Sequence, residues 1–216
     1  MVLALIRTAA LTALLSTSAF VQAASVVTNA PDRVYGTNMS YALVADDFTL
    51  VNPYDITGVR FWTLQETATD YSGSVYWAIY SNGTGPGSVL FDGTAVLTAN
   101  ATGQLGAFGY DEYIFDIPVT FQLAAGTYWL ALQNDFLGND EATEMLWGSS
   151  ATGGENGVYK DFQIGPDWLD TEANHAFAIL GDRVLPPNPA PEPGSLALVA
   201  GGLIGLRLFR RQRQSA

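Results

Sequence analysis

The sequence predicts an all-β domain, an antiparallel sandwich of jelly-roll type, with an apolar helix at each end of the chain. Three observations predict it. Short segments with two-residue alternation recur between turns rich in Gly, Asn and Pro. No amphipathic run of helical period and adequate length lies between residues 25 and 185. The apolar runs without alternation sit at the two chain ends, near residues 1–23 and 194–209.

The strands are read in chain order. Residues 47–51 alternate, and 56–64 alternate with both faces partly apolar. Residues 73–80 place Val75, Trp77 and Ile79 on one face, and the run stops at a loop signal, Ser81-Asn82-Gly83-Thr84-Gly85-Pro86-Gly87. A strand over 88–97 continues from it. Residues 113–117 precede Pro118, which predicts a sheet edge or a strand break. Residues 119–123 lead to the turn Ala125-Gly126, and 127–132 put Tyr128, Leu130 and Leu132 on one side. Segments at 144–148, 157–163 and 175–180 complete eight to ten short strands. A sandwich with jelly-roll connections accommodates that count; a closed barrel is the alternative.

The body between the end segments carries four basic residues (Arg33, Arg60, Lys160, Arg183) against twenty acidic ones, a net charge of −16. Such a surface repels phosphate backbones and excludes nucleic acid as a partner. Cysteine is absent, so the core alone holds the domain. Five Trp, ten Tyr and eleven Phe supply it.

The catalytic inventory is thin. His175 is the single histidine, and no Gly-x-Ser-x-Gly elbow occurs. His175 reads as a surface or strand-end residue. Zinc-type sites need more His or Cys than the chain has. Carboxylate pairs such as Asp111-Glu112 and Asp140-Glu141 fall in loops and read as solvated turn charges. The expectation is a protein that is not an enzyme and needs no cofactor. Calcium, which takes loop oxygens, is the one metal considered, with Asp135, Asn139, Asp140 and Glu141 as its candidate ligands. Turn chemistry explains the same residues. Ring faces stack on sugars, so Tyr71, Tyr80, Tyr110, Tyr159, Trp147 and Trp168 form a candidate glycan-binding set, whereas Trp77 and Trp129 read as core.

The two ends read as signals. Arg7 precedes an Ala/Leu-rich stretch and then Val21-Gln22-Ala23-Ala24, a signal-peptide pattern over 1–23 cleaved after Ala23, with Ala24 as the alternative. Residues 24–185 are the sandwich domain, and 186–190 a Pro-rich, extended linker. Pro191-Glu192-Pro193 follows, then the 16-residue run 194–209, interrupted by Arg207. That is short of the roughly 20 residues of a full span. Arg210, Arg211 and Arg213 form a basic stop that stays cytoplasmic and leaves the body outside. A short, interrupted segment suits a transient handle better than a permanent anchor.

In its order of motif, apolar helix and Arg-rich end, the stretch 191–213 resembles the PEP-CTERM sorting signal of Gram-negative bacteria. The resemblance implies recognition by exosortase, a membrane protease-transpeptidase that cuts near the Pro-Glu-Pro motif. It implies an exported protein, tethered to the inner membrane as a precursor and then released or attached at the cell surface, often in bacteria that make exopolysaccharide. The phrases Phe48-Thr49-Leu50, Trp77-Ala78-Ile79-Tyr80-Ser81-Asn82-Gly83 and Gly126-Thr127-Tyr128-Trp129-Leu130 loosely resemble secreted bacterial β-sandwich domains, a likeness of packing only. The expected function is a structural or adhesive cell-surface or extracellular-matrix protein associated with exopolysaccharide. A carbohydrate- or calcium-binding module is the alternative, and a secreted hydrolase the third reading.

Overall fold

A computed structural model describes residues 24–185. The signal segment before Ala24, the linker 186–190, Pro191-Glu192-Pro193 and the apolar run with its Arg cluster lie outside the described residues. Fourteen strands form within them. They are β1 (Ser25–Asn29), β2 (Pro31–Asn38), β3 (Leu43–Leu50), β4 (Tyr54–Gln65), β5 (Val75–Asn82), β6 (Pro86–Ala95) and β7 (Asn100–Leu105). Then come β8 (Asp111–Leu123), β9 (Gly126–Asn134), β10 (Leu146–Ser150), β11 (Val158–Lys160), β12 (Leu169–Asp170), β13 (Asn174–His175) and β14 (Phe177–Arg183). Among the described residues no helix is long and apolar enough to cross a membrane.

Every pairing is antiparallel, in two sheets. One carries β1-β14-β4 in order, with β8 and then β7 beyond β4, and β10 bringing in β2 and β13. The other runs β12-β11-β3-β9-β5-β6. Alternation decides what meets between them. On β5 Val75, Trp77 and Ile79 face inward, on β9 Leu130 and Leu132, on β3 Val44, Phe48 and Leu50. The opposite sheet answers with Val59 and Phe61 of β4, Phe115 and Ile117 of β8, and Phe177 and Ile179 of β14. Ring contacts cross the gap: Phe48 lies 6.2 Å from Phe177, and Phe91 of β6 stacks on Phe121 of β8 at 4.4 Å. Each fully buried side chain of this size contributes about 1.5–3 kcal/mol. Residues 24–185 therefore form an all-β antiparallel sandwich.

The intervening residues of the six-stranded sheet are buried too. Tyr76, Ala78, Trp129 and Ala131 form a second apolar cluster on its outer face, with Val158 and Trp168 packed against it. Gly93 stands opposite Trp77 in register, and a Cβ there would meet the indole at 3.2 Å. Glycine lets the ring lie across β6.

Several expectations change. The strands over 113–117 and 119–123 are one strand, β8, which runs through Pro118. Pro118 is opposite Gly58 at a register shift, and β7 pairs only with the first residues of β8. Its missing N–H therefore costs no ladder bond on that side. The loop over 81–87 shrinks to a tight hairpin, because β5 and β6 close onto each other at Asn82 and Pro86. The strand over 157–163 is shorter, Val158–Lys160, and 175–180 divides between β13 and β14. β1, β2, β7 and β12 were not expected.

Candidate functional site

On one flank of the sandwich β2, an appendage of the first sheet, approaches β11 and β12 of the second. The three segments enclose a cleft of about 290 Å³. Strand β2 contributes Tyr35 and Thr37, and Tyr41 follows in the turn to β3. β11 contributes Tyr159 from the opposite wall. Asp170 and Glu172 form the rim where β12 turns back toward β13.

The backing of this cleft is a buried polar chain. On β3 the inward set reads Val44, Asp46, Phe48, Leu50, so alternation alone drives a carboxyl group inside. Asp46 is fully buried, and its Oδ1 accepts the Asp47 backbone N–H at 2.8 Å. Its Oδ2 accepts the His175 backbone N–H. These bonds replace the water that Asp46 loses. The bond to His175 also joins β3 of one sheet to β13 of the other. The His175 ring is wholly buried against Trp147, 4.9 Å between centroids. Its Nε2 lies 2.9 Å from Thr37 Oγ1, which lines the cleft.

Carboxylate, histidine and hydroxyl in that order invite comparison with a nucleophile triad. The geometry argues against one. His175 Nδ1 is 3.5 Å from Asp46 Oδ2 and makes no hydrogen bond to it. A carboxylate that does not hold the imidazole tautomer does not prepare a general base.

The lip is fixed by its own bonds. Thr171 Oγ1 donates to Gly157 O at 2.7 Å and has Ala173 O at 2.9 Å. Glu172 has φ +59°, a left-handed conformation uncommon for a side-chain-bearing residue, and its N–H donates to Asp170 Oδ1 at 2.5 Å. Asn38 is spent internally, donating to Thr143 O at 3.2 Å and accepting Ser40 N–H at 2.8 Å. None of these bonds uses a phenol hydroxyl. Burial, reinforced by the nearby Tyr159, Asp161, Tyr35 and Glu144, pushes the Tyr41 phenol above its ordinary 10.0. It therefore stays a neutral hydroxyl at any physiological pH.

The residues singled out from the sequence fall elsewhere, with one exception. Tyr159 lines the cleft. Trp147 is fully buried and donates Nε1–H to Ala176 O at 2.8 Å, which corrects its place in the glycan-binding set. Tyr71 packs edge-on against Phe115, and its hydroxyl meets the Leu97 backbone. Tyr110 is occupied by Glu144, and this hydrogen bond pushes its phenol up to about 12. Tyr80 and Trp168 pack on each other over the second cluster. His175 does end a strand, but it is buried, not at the surface.

The candidate calcium residues share a loop without converging on one point. Asp135, at φ +67°, accepts Ser74 Oγ–H at 2.8 Å. The Asn139 amide donates to Asn134 O at 3.2 Å. Glu141 accepts the Ser72 hydroxyl, and Asp140 is exposed. Among the described residues no group of three or more His, Cys, Asp or Glu side chains comes together to hold a metal ion. Ala24, one of the two cleavage candidates, is described: its carbonyl accepts Gly181 N–H at 3.1 Å.

Tyr35 and Tyr41 were missed because residues 24–46 show too little alternation to be read as strands. The Tyr-x-Thr alternation at 35 and 37 was the available signal.

A family model for the PEP-CTERM protein-sorting motif matches residues 189–214. The match contains Pro191, Glu192 and Pro193, and Arg210, Arg211 and Arg213. The chain thus carries the motif of an exported protein processed by exosortase. No curated protein matches the chain.

Proposed function

We propose that this is a non-enzymatic protein of the cell surface or extracellular matrix, structural or adhesive, that associates with exopolysaccharide. The observation that carries the reading is the sorting motif at 189–214, joined to an acidic, cysteine-free sandwich. Export and processing follow from the motif. A precursor tethered by the apolar run and freed at Pro191-Glu192-Pro193 would deliver the sandwich outside the cell. Jelly-roll winding is supported by the strand order: β1-β14-β4-β8 in one sheet and β3-β9-β5-β6 in the other interleave along the chain as two Greek keys do.

Mass spectrometry of the mature C-terminus, in cells with and without exosortase activity, tests the sorting. Loss of residues beyond the Pro-Glu-Pro motif is expected only with the activity present. Retention of the Arg cluster in both strains overturns it. Co-fractionation of the mature protein with extracellular polysaccharide tests the role.

A second reading, a carbohydrate-binding module, is favoured by the three tyrosines and two carboxylates of the flank cleft.

A further inference from the structure

We infer that the flank cleft is a binding site for a neutral or amino-bearing sugar segment and that it discriminates against acidic sugars. The inference rests on the carbohydrate-associated reading above and names the site and ligand class. The argument is one of donors and acceptors. Thr37, Asn38 and Thr171 are committed to the protein's own bonds. The lining groups that remain for a ligand are the phenols of Tyr35, Tyr41 and Tyr159, the Glu172 carboxylate and the second oxygen of Asp170, whose Oδ1 is taken by the Glu172 N–H. A phenol both donates and accepts, and an ionised carboxylate only accepts. The lining contains no Lys or Arg. The ligand must therefore bring donors and no negative charge.

A pyranose does this. Its hydroxyls suit carboxylate acceptors, and its C–H faces suit aromatic rings. An amino group on the sugar adds attraction to Asp170 and Glu172. A uronate, sulfate or phosphate meets like charge at the rim and across a body of net charge −16. At about 290 Å³ the cleft lies just below the roughly 300–1,000 Å³ typical of ligand sites, which suits a short saccharide segment. The rim is preorganised: Thr171 donates both its backbone N–H and its hydroxyl to Gly157 O, and Glu172 is held in a conformation it would not choose alone.

The test uses the full-length protein in mild detergent, titrated by calorimetry with three defined oligosaccharides. These are a cello-oligosaccharide, an oligoglucosamine and an oligogalacturonate. The first two bind, and the uronate binds about tenfold more weakly or worse. Tyr41→Ala and Tyr159→Ala weaken binding about fivefold or more. Tyr159→Phe, which keeps the ring and its packing, weakens it about two- to tenfold, the loss of one hydrogen bond. Glu172→Gln narrows the gap between neutral and acidic probes. Near-UV circular dichroism confirms that each variant is folded. The inference falls if none of the probes binds, if the uronate binds as tightly as the others, or if folded Tyr159→Phe and Tyr41→Ala proteins bind like wild type. If the protein co-fractionates with polysaccharide in cells while the folded cleft variants bind unchanged, the broader reading stands and the site assignment fails. If it binds the oligosaccharides but never co-fractionates, the site stands and the broader reading fails.

Discussion

The slab between the two sheets and the flank beside β2 obey opposite rules. In the slab, strands of five to thirteen residues present Phe61, Phe115, Phe177 and Ile179, and few polar groups enter, among them the Trp147 Nε1–H, which bonds Ala176 O. On the flank, strands of two or three residues and their turns hold Thr171 and His175 out of water beside Asp46 of the longer β3, each through identified bonds. The slab's stability is spread over many interchangeable apolar contacts. The flank depends on a few directed bonds, so its residues are individually harder to replace by anything of similar size.

The largest expected effect breaks the slab. Phe61 is fully buried and stacks on Phe115 at 5.1 Å. Phe61→Ala should cost about 3–5 kcal/mol, the usual loss for a buried aromatic truncated to alanine. Urea denaturation measures it. A loss below about 1.5 kcal/mol would mean that the slab collapses around the cavity and is less rigidly packed than the ring contacts imply.

Next comes the flank. Asp46→Ala leaves the Asp47 and His175 backbone N–H groups buried without acceptors. Each orphaned donor costs about 1–3 kcal/mol, so a loss of about 3 kcal/mol is expected. Asp46→Asn keeps one acceptor oxygen and should cost less. If Asp46→Ala were as mild as a surface change, the directed-bond account of the flank would fail.

The same contrast explains what could be read from the sequence. Strands β4, β5 and β9 were legible because alternation is strong wherever one face enters the slab: Val75-Trp77-Ile79 and Tyr128-Leu130-Leu132 face inward as expected. Pro118 was half legible: the edge it predicts is there, because β7 stops short of it, but the strand break is not, and no local pattern decides between the two. The cleft was mostly illegible. It joins residues 35, 41, 159 and 172 through turns, and no local pattern encodes which turns meet. Asp46 could have been noticed as a charge on an apolar register. Its partner could not, since His175 supplies a backbone N–H, which every residue but proline has.

A smaller effect is set by pH. Asp47 faces the other side of β3, where its Oδ1 accepts Glu155 N–H at 2.8 Å. Burial raises its carboxyl above the ordinary 3.8, opposed by the Glu155 bond and aided by the nearby Asp46. The folded state then holds this proton more tightly than the unfolded state. Asp47 thus favours folding at low pH, and that contribution is lost as pH rises from about 3.8 through the folded pKa. Asp47→Asn, which can still accept from Glu155, should flatten this part of the stability profile and leave the protein relatively more stable at neutral pH. An unchanged profile would show that Asp47 is effectively solvated.

The smallest effect belongs to a pair outside both regions. Arg60 and Asp116 lie opposite each other on β4 and β8 and form a two-pronged bond, 2.7 and 2.9 Å. Geometrically it is better than any single bond on the flank. Its side chains are 27 % and 49 % exposed, so water competes for both charges and salt screens them. Asp116→Asn should therefore cost less than about 1 kcal/mol, and the cost should shrink further in high salt. Directed bonds matter on the flank because they are dry. If Asp116→Asn matched Asp46→Ala, bond geometry rather than burial would be the controlling variable, and the comparison between slab and flank would have to be redrawn on that basis.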